Sequence, residues 1–151
     1  MTKIVRRGPV VVDTGVFAAE LTRSGSDLAE RYWPLLEGRN VFISFVTEAE
    51  VRFGARLAGW GPGRLRKLEQ RLAAVEVVWP GPGLVEEYVE LRSRCVGAGH
   101  GLGQKSHEAD RWIAATAIWL HVPLVTHDRI FSGLDESASV TVQTRLGETS
   151  G

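Results

Sequence analysis

The chain has 151 residues, 44% hydrophobic and 24% charged, which is the size and balance of one globular domain and not of a disordered tail. Its 18 Lys and Arg offset 18 Asp and Glu, so bulk charge cannot drive binding to a polyanion. The charges are unevenly spread, with 12 basic and 8 acidic side chains in residues 1–75 and 6 and 10 in the rest. A single cysteine, Cys95, excludes an internal disulfide, and no Cys/His group has zinc-finger spacing, so a reducing cytosol is the expected compartment.

In chain order, Val10–Val12 is a β-branched run too short for a signal-peptide core, and it reads as a buried strand turning at Asp13-Thr14-Gly15 into a helix. Ser26 to about Leu36 reads as helix, Val41-Phe42-Ile43 as a short strand, and Thr47 to Leu57 as a second helix. Gly61-Pro62-Gly63 breaks the chain, and Arg64–Val75 resumes with Leu65, Leu68 and Leu72 at helical spacing. Val77-Val78-Trp79 is a further strand, Leu84–Val96 a helix, and the glycine-rich stretch 97–103 is expected to be a mobile loop. Ser106 to His121 is the clearest helix; Leu124–Thr126 and Val140–Val142 are the last strands. The longest run without charge, Trp112–His127, contains His121 and Pro123 and does not read as a membrane span. Trp33, Trp79, Trp112 and Trp119 are assigned to the core. Short apolar strands alternating with helices imply an α/β fold with a mostly parallel sheet, whose sites collect at the strands' carboxyl ends.

Four acids stand at such places. Asp13 follows the first strand and Asp128 the strand Leu124–Thr126; Glu50 and Asp110 sit in first turns of helices. Each has a structural explanation as well: Asp13 as a helix cap, Thr47 and Glu50 as a capping box, Asp110 on the helix dipole, Asp128 as a turn starter. Together they point to one edge of the sheet. Carboxylates gathered there raise one another's pKa, and a fold tolerates that mainly when a cation sits among them. Hard oxygen ligands suit Mg²⁺ or Mn²⁺, which can bind a phosphate and activate water.

These residues carry a resemblance. VVVDTGVFAAEL, FVTEAEVRFGA and EADRWIAATAIWLHVPLVTHDRIF resemble, in order and spacing, the motifs of PIN-domain nucleases, and the length and motif style are similar to VapC-type toxins of bacterial toxin–antitoxin pairs. The resemblance spans about residues 10–142 and implies one PIN-like domain over 1–151, a three-layer fold with a central sheet between helices. It implies a divalent-metal endoribonuclease with Asp13, Glu50, Asp110 and Asp128 as catalytic and metal-binding acids. Thr14 and Thr126 are expected to support the site. It further implies a cognate antitoxin and a homodimer; the single cysteine and the apolar pattern suggest a cytoplasmic, membrane-free setting. Two departures are Gly15, where Ser or Asn is frequent, and Ile130, where a further acid is common.

Substrate grip is expected from Arg52, Arg56, Arg64, Arg66, Lys67 and Arg71, six cations against the single acid Glu69. Trp60 either stacks on a base or fills a gap between helices. His127 touches a metal or phosphate, or is simply exposed, while His100, His107 and His121 carry no pattern. The glycine-rich stretch fails both the G-x-G-x-x-G and the P-loop spacing, and no nucleophile elbow is present. Two other readings stay open on sequence: a PIN nuclease of RNA processing or DNA cleavage, and a non-catalytic binding module.

Overall fold

The computed structural model describes residues 7–138 and 140–148. Five short strands, β1 (Val10–Val12), β2 (Val41–Ser44), β3 (Glu76–Val78), β4 (Leu124–Val125) and β5 (Val142–Gln143), form one sheet in the order β3-β2-β1-β4-β5. Every neighbouring pair is parallel, with Val11 opposite Phe42 on one side and Leu124 on the other. Parallel strands need crossovers, and the helices supply them on both faces. Helices α1 (Thr14–Ala18), α2 (Ser26–Leu36), α3 (Phe45–Leu57) and α4 (Pro62–Ala73) cover one face. Helices α5 (Pro82–Ala98), α6 (Glu108–Leu120) and α7 (Leu134–Ala138) cover the other.

The strand period of two divides the core. Val10 and Val12 point into a cluster with Phe17, Tyr32, Ile43 and Leu68, while Val11 points the other way among Leu84, Leu91, Ile113 and Leu124. The expected three-layer α/β fold is the observed one. Sheet order reverses between β1 and β4, so a crevice opens beyond the carboxyl ends of those two strands.

Several local expectations are corrected. α3 begins at Phe45, because β2 runs into it without a loop and Ser44, the last strand residue, becomes the cap by accepting from the Val46 N–H at 3.3 Å. Thr47 is therefore already inside the helix, Glu50 falls in its second turn and not its first, and no capping box joins the two. Pro62 and Gly63 open α4 instead of breaking the chain, since proline's fixed φ suits a first helical turn. The glycine-rich stretch is not a slack loop. α5 runs to Ala98 and ends on Gly99 at φ 68°, where glycine bears no Cβ penalty. His100 then braces the adjoining 3-10 turn: its Nδ1 accepts from the Leu102 N–H at 3.0 Å, and its Nε2 lies 2.7 Å from the Ser132 carbonyl. Leu102 is fully buried.

Three of the four tryptophans assigned to the core depart from expectation, while Trp112 packs against it. Trp33 is 54% exposed, Trp79 62% and Trp119 43%. Trp79 stands just past β3 and stacks on Phe45 at 6.4 Å. Trp112 is half-buried, stacked on Tyr88 at 4.2 Å. The last strand is Val142–Gln143, two residues later than the apolar pattern suggests, preceded by the unanticipated α7. Among the described residues no helix is long and apolar enough to cross a membrane.

Candidate active site

Asp13 is the first residue past β1, and it stands at the switch point. Its Oδ1 accepts from the Val16 N–H at 2.9 Å, which caps α1, and its Oδ2 accepts from the Thr126 hydroxyl. The cap anticipated from sequence is thus real, and it uses only half of the carboxylate. Asp13 is 6% exposed, and among the described residues no cationic side chain pairs with it. Burial pushes its pKa up from an ordinary 3.8 to about 6; Asp128 and Asp110 push the same way, against the hydrogen bonds from Thr126 and Val16.

Thr126 links this carboxylate to the backbone of the next acid. Fully buried after β4, its Oγ1 also accepts from the Asp128 N–H at 3.0 Å. Asp128 is exposed, and its Oδ1 caps the 3-10 turn Arg129–Phe131 by accepting from the Ile130 N–H at 3.0 Å. Ile130 thus contributes its backbone to Asp128, while its side chain packs on the core. Asp13 and Asp128 share a cavity of about 560 Å³ with Gly15, His127, Arg129 and Leu146 on its walls.

Asp110 lies in the first turn of α6, half-buried, its Oδ2 3.0 Å from His107 Nδ1. It is close enough to act on the charge of Asp13 but does not line that cavity. Glu50 is exposed on α3 and is tethered from the other side: the Thr14 hydroxyl, one residue past Asp13, donates to it at 2.8 Å. Thr14 in turn lies 3.0 Å from the hydroxyl of the fully buried Thr47.

The four acids therefore gather along one edge at different depths. Among the described residues, no three His, Cys, Asp or Glu side chains stand close enough to enclose a metal ion. The donor set nevertheless fits Mg²⁺ or Mn²⁺. It is all carboxylate oxygen, it centres on a buried acid with no cationic partner, and Mg²⁺ commonly takes one or two carboxylates while keeping several waters.

Four contributors escape sequence reasoning. Thr47, expected as a cap, instead supports Thr14. His107 reaches Asp110, and its i,i+3 spacing on a helix start is the only signal. Tyr32 on α2 supports the β4 edge, and Arg111 is 1% exposed one residue past Asp110. Its guanidinium donates to the carbonyls of Leu102 and Gln104 and to the Tyr88 hydroxyl, pinning the approach to α6.

The cationic face lies elsewhere. Arg52 is engaged by Glu69 and Glu48, and Arg71 by Glu20 at 3.0 Å. Arg64 lies over the Trp60 ring at 4.1 Å and donates to the Leu21 carbonyl; Arg56, Arg66 and Lys67 are exposed. Half-buried Trp60 packs on the core below, so it fills the gap between α3 and α4. Arg64, Lys67 and Trp60 line a cleft of about 1010 Å³ that shares no wall residue with the acid cavity.

The sequence pattern of the PIN domain matches residues 10–137, the stretch that builds this edge. The chain belongs to the PIN-domain family. It is 31% identical over 134 residues to ribonuclease VapC5 of Mycobacterium tuberculosis, covering 87% of this chain and 92% of that one. The crystal structure of VapBC-5, a VapBC-family toxin–antitoxin system of the same organism, is similar at TM-score 0.65 and 30% identity over 91% of this PIN domain and 98% of that chain. VapBC2 of Rickettsia felis, solved on a promoter DNA fragment, shares the fold at TM-score 0.70 and 19% identity, over 89% of this chain and 98% of that one.

Proposed function

We propose that this PIN domain is a divalent-metal-dependent endoribonuclease and the toxin of a type II toxin–antitoxin pair. The reading rests on one observation: a buried carboxylate, Asp13, without a cationic partner among the described residues, tied through a single threonine hydroxyl to the Asp128 backbone and flanked by Asp110. The VapC relatives name the polymer and the kind of partner. Residues 1–151 act as one domain, pairing with a second copy and with a cognate antitoxin.

Asp13 would hold the ion directly, with Asp110, Asp128 and Glu50 reaching it through the waters that such an ion keeps. When bound, a divalent ion neutralises phosphate charge and lowers the pKa of water. The chain's own residues do the rest. Thr126 holds Asp13 and Asp128 in register, and Thr14 with Thr47 holds Glu50 beside them. Val16 fixes the rotamer of Asp13 so that the rest of its carboxylate faces the cavity. Arg129, on the same wall, can meet a phosphate oxygen. Arg52, Arg56, Arg64, Arg66 and Lys67 grip flanking phosphates.

The purified protein is expected to cut single-stranded RNA internally with Mg²⁺ or Mn²⁺ and to stop on chelation. Undiminished cleavage in excess EDTA overturns the metal-dependent mechanism. Expression in bacteria is expected to arrest growth, with relief by co-expression of the small protein encoded beside it. Arrest that such a partner does not relieve overturns the toxin–antitoxin assignment while leaving the nuclease intact.

A further inference from the structure

His127 forms another polar wall of the acid cavity, beside Asp13 and Asp128. Its ring is held from behind by Tyr32, a residue of α2 that is 1% exposed. The rings meet edge to face, centroids 5.4 Å apart and planes at 83°. The Tyr32 hydroxyl has four neighbours: the Thr126 carbonyl at 3.0 Å, His127 Nδ1 at 2.7 Å, the Arg145 N–H at 2.9 Å and Thr144 Oγ1 at 3.3 Å.

A phenol hydroxyl has one proton to give and lone pairs to receive. A carbonyl can only accept, so the proton goes to Thr126. The Arg145 N–H can only donate, so it takes one lone pair. Assigning the one hydroxyl proton to Thr126 makes the ring the donor of the short contact, from Nδ1–H to the Tyr32 oxygen. In the neutral imidazole this leaves the lone pair on Nε2, on the far side of the ring from Tyr32, where it has no hydrogen-bond partner among the described residues. A buried partner on one nitrogen fixes what the other can do.

That lone pair needs a donor. Asp13 and Asp128 are acceptors when ionised, and the phosphodiester offers only acceptors, for which Arg129 is the matching group. The O–H that a strand carries beside its scissile phosphate is the ribose 2′-hydroxyl, which DNA lacks. We propose that His127, aimed by Tyr32, accepts a hydrogen bond from this 2′-hydroxyl and makes the acid edge select RNA over DNA. The inference rests on the ribonuclease reading and assigns the group that recognises the sugar. His127 touches substrate; Tyr32 is a positioning residue.

The test uses two oligonucleotides that differ by one 2′-deoxy substitution at the mapped cleavage position, assayed with Mg²⁺ at pH 8. Their affinities are measured separately in chelator by fluorescence anisotropy. The wild-type protein is expected to prefer the all-ribose strand in kcat/KM by roughly fivefold to tenfold, the range of one neutral hydrogen bond. His127→Ala and Tyr32→Phe are expected to bring the ratio close to one, by slowing the ribose strand several-fold more than the 2′-deoxy strand. His127→Gln, whose amide oxygen can accept, is expected to recover part of the preference, and it carries the test if His127→Ala melts early. An unchanged ratio in the His127 variants overturns the proposal. Equal slowing of both strands also overturns it, placing His127 on water or metal. A wild-type protein that cuts neither strand sinks the ribonuclease reading itself.

Discussion

At the carboxyl edge of the sheet Asp13 has both oxygens engaged and its supporting Thr126 is fully buried, whereas on the α3–α4 face Arg56, Arg66 and Lys67 stand in solvent. One region fixes short side chains by hydrogen bonds to backbone and to each other. The other leaves long side chains free, or pairs them with neighbours as Arg52 pairs with Glu69. The difference follows from the work each is proposed to do. Holding a metal and a scissile phosphate needs positions set to fractions of an ångström, while gripping a flexible polyanion needs only charge at roughly the right place. Substitutions on the edge should therefore act on turnover, and substitutions on the face on affinity and its salt dependence.

Asp13→Asn carries the largest expected effect: cleavage more than about 100-fold slower, beyond what losing a supporting partner costs. Folding should move the other way. Asp13 has a raised folded pKa, so between about 4 and 6 the native protein keeps a proton that the unfolded chain has released. Metal-free stability from this group is full below that window and falls by about 3 kcal/mol as pH rises through it. Asn removes the titration and keeps an acceptor for the Val16 N–H. Chelated Asp13→Asn is thus expected to melt above wild type at pH 7, with the difference vanishing near pH 4. Urea unfolding across pH 4–8 measures it. A variant that unfolds early at every pH would make Asp13 chiefly a helix cap.

Thr126→Val is next, expected to slow cleavage about 10- to 100-fold, as loss of an outer-shell partner does at metal sites. Valine keeps the volume but leaves the Asp128 N–H without its acceptor and Asp13 Oδ2 without its donor. Affinity for RNA in chelator should hardly move, which separates this variant from those on the cationic face. A pure affinity loss would place Thr126 outside the edge's machinery.

The sequence already carries most of the frame. β-branched triplets and leucine spacing are local signals, and a parallel sheet follows from their alternation, so β1, β2, α5 and α6 are legible. The positions of Asp13, Asp110 and Asp128 past strand ends or at a helix start are legible too, because in a parallel sheet those places share one edge, whereas Glu50 lies a turn further into α3 than its pattern suggests. The features that escape depend on side chains meeting across the fold. Tyr32 reaches a carbonyl 94 residues away, and nothing near it in the chain announces that. Ser44 as a cap is hidden because a residue ending a strand and opening a helix belongs to both patterns. Trp79 is misplaced because hydrophobicity ranks a residue type but does not say what lies above it.

On the cationic face the expected effects are smaller. Arg64→Ala with Arg66→Ala should weaken RNA binding several-fold at low salt and leave kcat nearly unchanged. Each lost phosphate contact to a single strand should flatten the slope of log affinity against log salt by about 0.7. The two residues should not contribute alike. Arg66 is exposed, so its removal takes away charge alone. Arg64 is held over Trp60 and bonded to the Leu21 carbonyl, so its removal also bares an aromatic face beside the cleft. A bared ring can stack on a base and return part of the lost affinity in a salt-independent form. The single variants, titrated at several ionic strengths, are therefore expected to share a slope change but to differ in intercept, with Arg64→Ala binding more tightly at high salt. Identical intercepts would mean that Trp60 only fills its gap. An unchanged slope in the double variant would move the phosphate contacts off α4 altogether.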